Sequence, residues 1–235
     1  MAAPGGPGSS RTTVSPRPAS CSLRPGGSTG SGFSPFRLAD CADDVAALLD
    51  AIGVEYATIV GYSMGGAVAQ LVWRRHRPRV RSLVLAATSR NFASSREESI
   101  SFMGLAGLAV VSRVVPDSIR QRIAEQYVDK RAGMGWETWA LEQIRSHDWT
   151  AVLEAGRAIG SFSSIDWIGS VDVPTSVIVN SDDHVVPTHR QLALSESITH
   201  ARVFHIEGDH DVCVVGADRF VPLLIEAIAV SLHDA

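Results

Sequence analysis

Short apolar runs alternate with amphipathic stretches over most of this chain. Tyr56–Val60, Val80–Ala86, Thr175–Val179 and Ala201–Ile206 are compact runs rich in valine, isoleucine and leucine, and they predict strands. Between them the apolar spacing lengthens to that of helices. Asp40 is placed to cap a helix over Cys41–Leu49 that Gly53 ends. A second helix runs from Ala67 to about Arg77 and stops at Pro78. His189–Ile198 and Ala217–Leu232 predict two more. Strands separated by helices imply an α/β fold, with a mostly parallel sheet covered by helices.

The pattern changes over residues 91–165. Ile100–Val115, Ser118–Asp129, Trp136–Ser146 and Trp149–Ile159 all have helical spacing, and no strand is predicted there. An all-helical insertion between two strands reads as a cap. Ile100–Val115 is too short to span a membrane, and Gly104, Gly107 and Arg113 interrupt it. The resulting division is a core over 37–90 and 166–235, with a cap over 91–165.

Composition sets the first 36 residues apart. They hold 7 Gly, 6 Pro and 8 Ser and no acidic residue. Such a segment buries too little apolar surface to offset its ordering entropy, so it is expected to be disordered. It has no apolar stretch of the kind a secretory signal needs. The whole chain of 235 residues carries a net charge of −4, which argues against nucleic-acid binding and against a basic membrane-binding surface. Cys21, Cys41 and Cys213 are too scattered for a disulfide framework or a zinc site, which suits a reducing cytoplasm.

The candidate chemistry begins at Gly61-Tyr62-Ser63-Met64-Gly65, a G-x-S-x-G between a predicted strand and a predicted helix. Small residues at 61 and 65 let the chain turn sharply enough to hold the Ser63 hydroxyl at the end of the sheet. The helix that follows directs its N-terminus and the Met64 N–H to the same place, where negative charge would develop. A serine nucleophile needs a base, and the base a carboxylate to orient it. Asp183 follows the Thr175–Val179 run and His210 follows the Ala201–Ile206 run, so all three side chains fall at carboxyl ends of strands.

With its Gly61–Gly66 elbow, its Asp-x-x-x-Pro run from Asp183 to Pro187 and its Gly208-Asp209-His210 turn, the chain resembles the α/β-hydrolase family from about residue 37 onward. The resemblance implies Ser63 as nucleophile, His210 as general base and then acid, Asp183 as orienting carboxylate and Met64 as a backbone oxyanion donor. It implies no metal or organic cofactor. It points to a serine hydrolase acting on a carboxylic ester or related acyl bond of a small, apolar molecule. Acyltransfer and cofactor-free peroxidase chemistry on the same residues stay open, as does a homo-oligomer.

Some neighbours compete for these roles. Asp182 could replace Asp183, although the spacing to Pro187 favours Asp183. His184 reads as a solvated loop residue and His205 as a strand wall residue. Arg74, Arg75, Arg77, Arg79 and Arg81 read as a cationic helix end and not as a phosphate site. Cys213 has no base of its own. The family's earlier strands and the His-Gly loop that gives a second oxyanion N–H have no counterpart before Ser63, since His76 is the first histidine. The expectation is a truncated or mis-started frame that leaves Tyr56–Val60 as an exposed sheet edge. The alternative function is therefore an impaired remnant or a non-catalytic binding protein. A weaker reading is an interaction module that pairs through that edge.

Overall fold

The computed structural model describes residues 36–93 and 149–233, with Arg122 and Glu125 also in helical conformation. Ile100–Val115 and Trp136–Ser146 lie outside the described residues, as do most of Ser118–Asp129 and all of the first 35 residues. The described elements are α1 (Leu38–Ala51), β1 (Ala57–Tyr62), α2 (Met64–Arg75), β2 (Val80–Ala86), α3 (Trp149–Gly160), β3 (Thr175–Asn180), α4 (Thr188–Ser197), β4 (Arg202–Ile206), the short α5 (Val212–Val215) and α6 (Ala217–His233).

All four predicted strands form, in the order β1-β2-β3-β4, and every pairing is parallel. Register decides what meets at the rim. Tyr62 pairs with Ala86, Ala86 with Ile178, and Ile178 with Phe204. The strands thus end almost level, and the loops leaving β1, β3 and β4 emerge at the same rim of the sheet.

The strand period of two sorts the core into two layers. Leu83, Leu85, Val177 and Val179 face α1, α2 and α4 in a cluster with Ala42, Ala69, Val72, Trp73 and Leu194. Val84, Ala86 and Ile178 face the other way, against Val212, Phe220 and Ala227 of α5 and α6. Because β2 and β3 are covered on both sides, their centres, Leu83–Ala86 and Val177–Val179, read as unbroken apolar runs and not as alternating ones. Ser176 donates its hydroxyl to the Ala227 carbonyl at 2.9 Å, a small buried contact that lets α6 lie close to the sheet. Ile178 is fully buried between these layers. Ile178→Ala is expected to cost about 2–5 kcal/mol in urea denaturation, since the site is too tightly framed to collapse onto the cavity.

Helix boundaries depart from the sequence reading at two places. α1 starts at Leu38 with Arg37 as its N-cap and no side-chain capping bond, so Asp40 lies in the first turn and is not the cap. Leu38 shares the buried stripe with Cys41 and Ala42, and burying it extends the helix backward. α2 starts at Met64, three residues earlier than expected, because the strand passes into the helix through Ser63 alone. It ends at Arg75, and Pro78 sits in a 3₁₀ turn over Arg77–Arg79, where its missing N–H costs nothing.

Residues 90–91 and 163–164 meet beside the core. Asn91 and Ser163 form an isolated antiparallel bridge, a strand-like contact inside a region read as wholly helical. The Ser164 N–H donates to the Arg90 carbonyl at 2.8 Å. The buried Gln70 of α2 ties this neck down. It donates to the Ser89 carbonyl at 3.1 Å and accepts from the Ser164 hydroxyl at 2.6 Å.

Among the described residues β1 has a neighbour on one side only, and Tyr56 and Val60 are exposed beside it. No helix among the described residues is long and apolar enough to cross a membrane. Four of the five clustered arginines have partners within the fold. Arg75 pairs with Asp43, Arg77 with Asp172 and Arg79 with Asp50, while Arg74 lies over the Trp167 ring. Trp167 itself stacks on Trp73, so it is a packing residue of the core.

Candidate active site

The chain turns sharply at Ser63. This residue has φ 54° and ψ −121°, a conformation that costs a side-chain-bearing residue about 1–3 kcal/mol. Its surroundings hold it there. The Ser63 N–H donates to the Ala86 carbonyl at the end of β2, and the Gly66 N–H closes back on the Ser63 carbonyl, each at 2.9 Å. Gly61 and Gly66 are required by close approach, whereas a Cβ on Gly65 would meet nothing within 4 Å, so the expected need for a small side chain at 65 does not hold. A Cβ on Gly61 would meet the Gly65 carbonyl oxygen at 2.3 Å, and one on Gly66 would meet the Thr88 side chain at 2.4 Å. Ser63 is half-buried and so within reach of a small molecule. The N–H of Met64 belongs to the first turn of α2, where helical N–H groups have no acceptor within the helix.

The other two candidates meet this serine. His210 Nε2 lies 2.8 Å from Ser63 Oγ, and His210 Nδ1 lies 2.8 Å from Asp183 Oδ2. The side chain of Asp183 is fully buried and that of His210 is one-fifth exposed. Buried carboxylates need donors, and Asp183 has four. Its Oδ1 accepts the N–H groups of Val185 and Val186 at 2.9 and 2.7 Å, and its Oδ2 accepts Gln191 Nε2 at 3.0 Å beside the histidine. Asp182 points to solvent, so the structure separates the two adjacent aspartates as the spacing to Pro187 suggested.

Neighbouring residues fix the histidine loop. Asp209 accepts the N–H groups of His184 and His210 at 2.9 and 2.6 Å. Burial works to raise the Asp209 carboxyl, but these hydrogen bonds outweigh it and hold it below the usual range. His184 is exposed and contacts Asp209 only at the surface, as a solvated loop residue would. His205 is exposed on β4 and is not a buried wall residue, because β4 is covered less than the strands inside the sheet. Cys213 is half-buried, and burial pushes its thiol up, away from the thiolate a nucleophile needs.

Three polar residues at this site escaped the sequence reading. Tyr62 donates its hydroxyl to the His210 carbonyl at 2.9 Å, and burial pushes its phenol well up, so it stays a donor. Asn180 donates to the Tyr62 oxygen at 3.0 Å and to the Asp209 carbonyl at 3.2 Å. Gln191 is fully buried against Asp183. A signal existed for two of them. Asn180 directly follows the apolar run Val177–Val179, and Gln191 occupies the inward stripe of α4 with Leu194 and Ser195.

Among the described residues no cluster of three His, Cys, Asp or Glu side chains is arranged to hold a metal. A cavity of about 560 Å³ opens at the opposite end of the strands, near Asp172, Thr175, His200 and Arg202. None of the three candidate side chains lines it.

A family model described as the alpha/beta hydrolase fold matches residues 5–108. That match includes the elbow and reaches back earlier than residue 37, where the motif resemblance began. Other likenesses are longer. A poly(3-hydroxyalkanoate) depolymerase of Ectopseudomonas oleovorans is 24% identical over 204 residues, covering 82% of this chain and 68% of that one. The 3-oxoadipate enol-lactonase 2 of Acinetobacter baylyi is 26% identical over 193 residues, with 78% and 68% covered. In three dimensions the enol-lactonase from Burkholderia xenovorans superposes with a TM-score of 0.68 at 20% identity, over 87% of this chain and 77% of that one. A parallel sheet flanked by helices, an elbow after its first described strand and these matches lead to one assignment: the chain has the alpha/beta-hydrolase fold.

Proposed function

We propose that this protein is a serine hydrolase that cleaves a carboxylic ester or related acyl bond through an acyl-enzyme on Ser63. The observation that carries this reading is the unbroken hydrogen-bonded chain from Ser63 Oγ through His210 to Asp183, at 2.8 Å for each link. In the first half-reaction Ser63 Oγ attacks the substrate carbonyl carbon while His210 Nε2 takes the hydroxyl proton. The carbonyl oxygen gains the negative charge and turns to the Met64 N–H. As the intermediate collapses, His210 returns the proton to the departing alcohol. In the second half-reaction His210 takes a proton from water, the resulting hydroxide attacks the acyl carbon, and as the bond from Ser63 Oγ to that carbon breaks His210 returns the proton to Oγ and the acid leaves. Asp183 keeps the proton of His210 on Nδ1, so that Nε2 faces Ser63 as an acceptor.

An apolar acyl substrate fits the surroundings. Met64 packs on a cluster that includes Phe36, Leu38, Phe92 and Phe162. The segment 91–165 is proposed as the cap over this site, since Asn91 and Ser163 meet close to the rim. The related proteins named above include a depolymerase and a lactonase by their names, which supports hydrolysis of an acyl bond without choosing the substrate.

Covalent labelling tests the proposal. A fluorophosphonate probe is expected to modify the purified protein stoichiometrically, with the adduct mapped by mass spectrometry to the peptide holding Ser63. Folded protein that stays unlabelled would favour the alternative, a non-catalytic binding protein or impaired remnant of the same fold.

A further inference from the structure

Asp183 Oδ2 has two partners, and only one of them is the histidine. The other is Gln191 Nε2, which lies 3.0 Å from the oxygen that His210 Nδ1 contacts. Gln191 cannot turn away. Its Nε2 also donates to the Val186 carbonyl at 2.7 Å, and its Oε1 accepts the Asn180 N–H at 3.0 Å. The residue is wholly buried, so no water stands ready to replace these bonds. Its three contacts join the end of β3, the loop after Asp183 and the carboxylate itself. Asn180 extends the tie to the histidine side, through the Tyr62 hydroxyl and the Asp209 carbonyl.

The two backbone N–H groups of Val185 and Val186 hold Oδ1 but leave the carboxylate free to swing about that oxygen. A fixed donor on Oδ2 removes this freedom and sets the direction in which the second lone pair meets His210. We propose that Gln191 is a positioning residue for the hydrolytic triad, acting through Asp183 and not on the substrate. The inference rests on the serine-hydrolase reading above.

The test compares Gln191→Leu and Gln191→Glu with Ser63→Ala on an ester that the wild type turns over. Gln191→Leu is expected to lower kcat by about 10²-fold, as slight misplacement of a reacting group does, with KM unchanged. Gln191→Glu keeps the length of the side chain and the acceptor for the Asn180 N–H. The titratable groups facing it are Asp183 and, beyond that carboxylate, His210. While protonated, the introduced carboxyl can still donate to Asp183; once ionised, it repels that carboxylate. The kcat of Gln191→Glu is therefore expected to decline on the alkaline side, where the wild type stays active.

Wild-type kcat in Gln191→Leu, with Ser63→Ala inactive, overturns the inference while leaving the hydrolase reading intact. So does a Gln191→Glu pH profile of wild-type shape, the result of a merely structural role, and this variant decides the matter if Gln191→Leu does not fold. Activity retained in Ser63→Ala overturns the reading on which the inference rests.

Discussion

Ser63→Ala and His210→Ala are each expected to reduce kcat by about 10⁶-fold, and the double variant to fall little further. In the proposed mechanism serine and histidine act as one unit: without the hydroxyl the imidazole has nothing to deprotonate, and without the imidazole the hydroxyl is a poor nucleophile. Steady-state rates on an acyl ester, with KM measured alongside, check this. Losses that multiply in the double variant would mean that the two side chains act independently. Stability should separate the roles of hydroxyl and backbone. Ser63 is held at φ 54°, where any Cβ is strained. Ser63→Gly is therefore expected to exceed Ser63→Ala in stability by about 1 kcal/mol in urea denaturation, the reverse of the usual ranking of these residues.

The same strain explains which features could be read along the chain. The elbow was legible because close approach demands glycine at 61, two residues before the serine; Gly65 completed the motif although its Cβ would meet nothing, and the second close approach is at Gly66. The strands were legible because β2 and β3 are buried on both faces and show continuous apolar runs at their centres. Asp183 and His210 were legible through their places just after strands, where parallel register brings them to Ser63.

Other features depend on partners distant in sequence. Arg77 looked like part of a cationic patch, but its partner Asp172 is 95 residues away. The Tyr62 hydroxyl meets Asn180 across 118 residues. Gln191 is nearer its partners, yet a glutamine in a helix reads as surface until its neighbours are known. The start of α1 was misplaced for a related reason. A good capping residue, Asp40, was available, but burial of Leu38 decided where the helix begins.

Asp183→Asn is expected to fold with its stability lowered by about 1–3 kcal/mol, the cost of a buried donor left unsatisfied, and to lose about 10⁴-fold in kcat. Four donors converge on Asp183: the N–H groups of Val185 and Val186 on Oδ1, and Gln191 Nε2 with His210 Nδ1 on Oδ2. An asparagine has one acceptor atom for these four donors. Its oxygen must stay with the two backbone N–H groups, which cannot move, so its amide group turns toward Gln191 and His210. Gln191 cannot reverse its own amide without giving up the Asn180 N–H. The imidazole can adapt by shifting its proton to Nε2 so that Nδ1 accepts. In that tautomer Nε2 presents a hydrogen to Ser63 and can no longer take one, so the geometry survives while the chemistry stops. Single-turnover acylation rates should show the full loss with substrate affinity retained, and neutron or NMR detection of the histidine proton should find it on Nε2. Near-wild-type acylation by the folded variant would mean that Asp183 does not set the tautomer of His210.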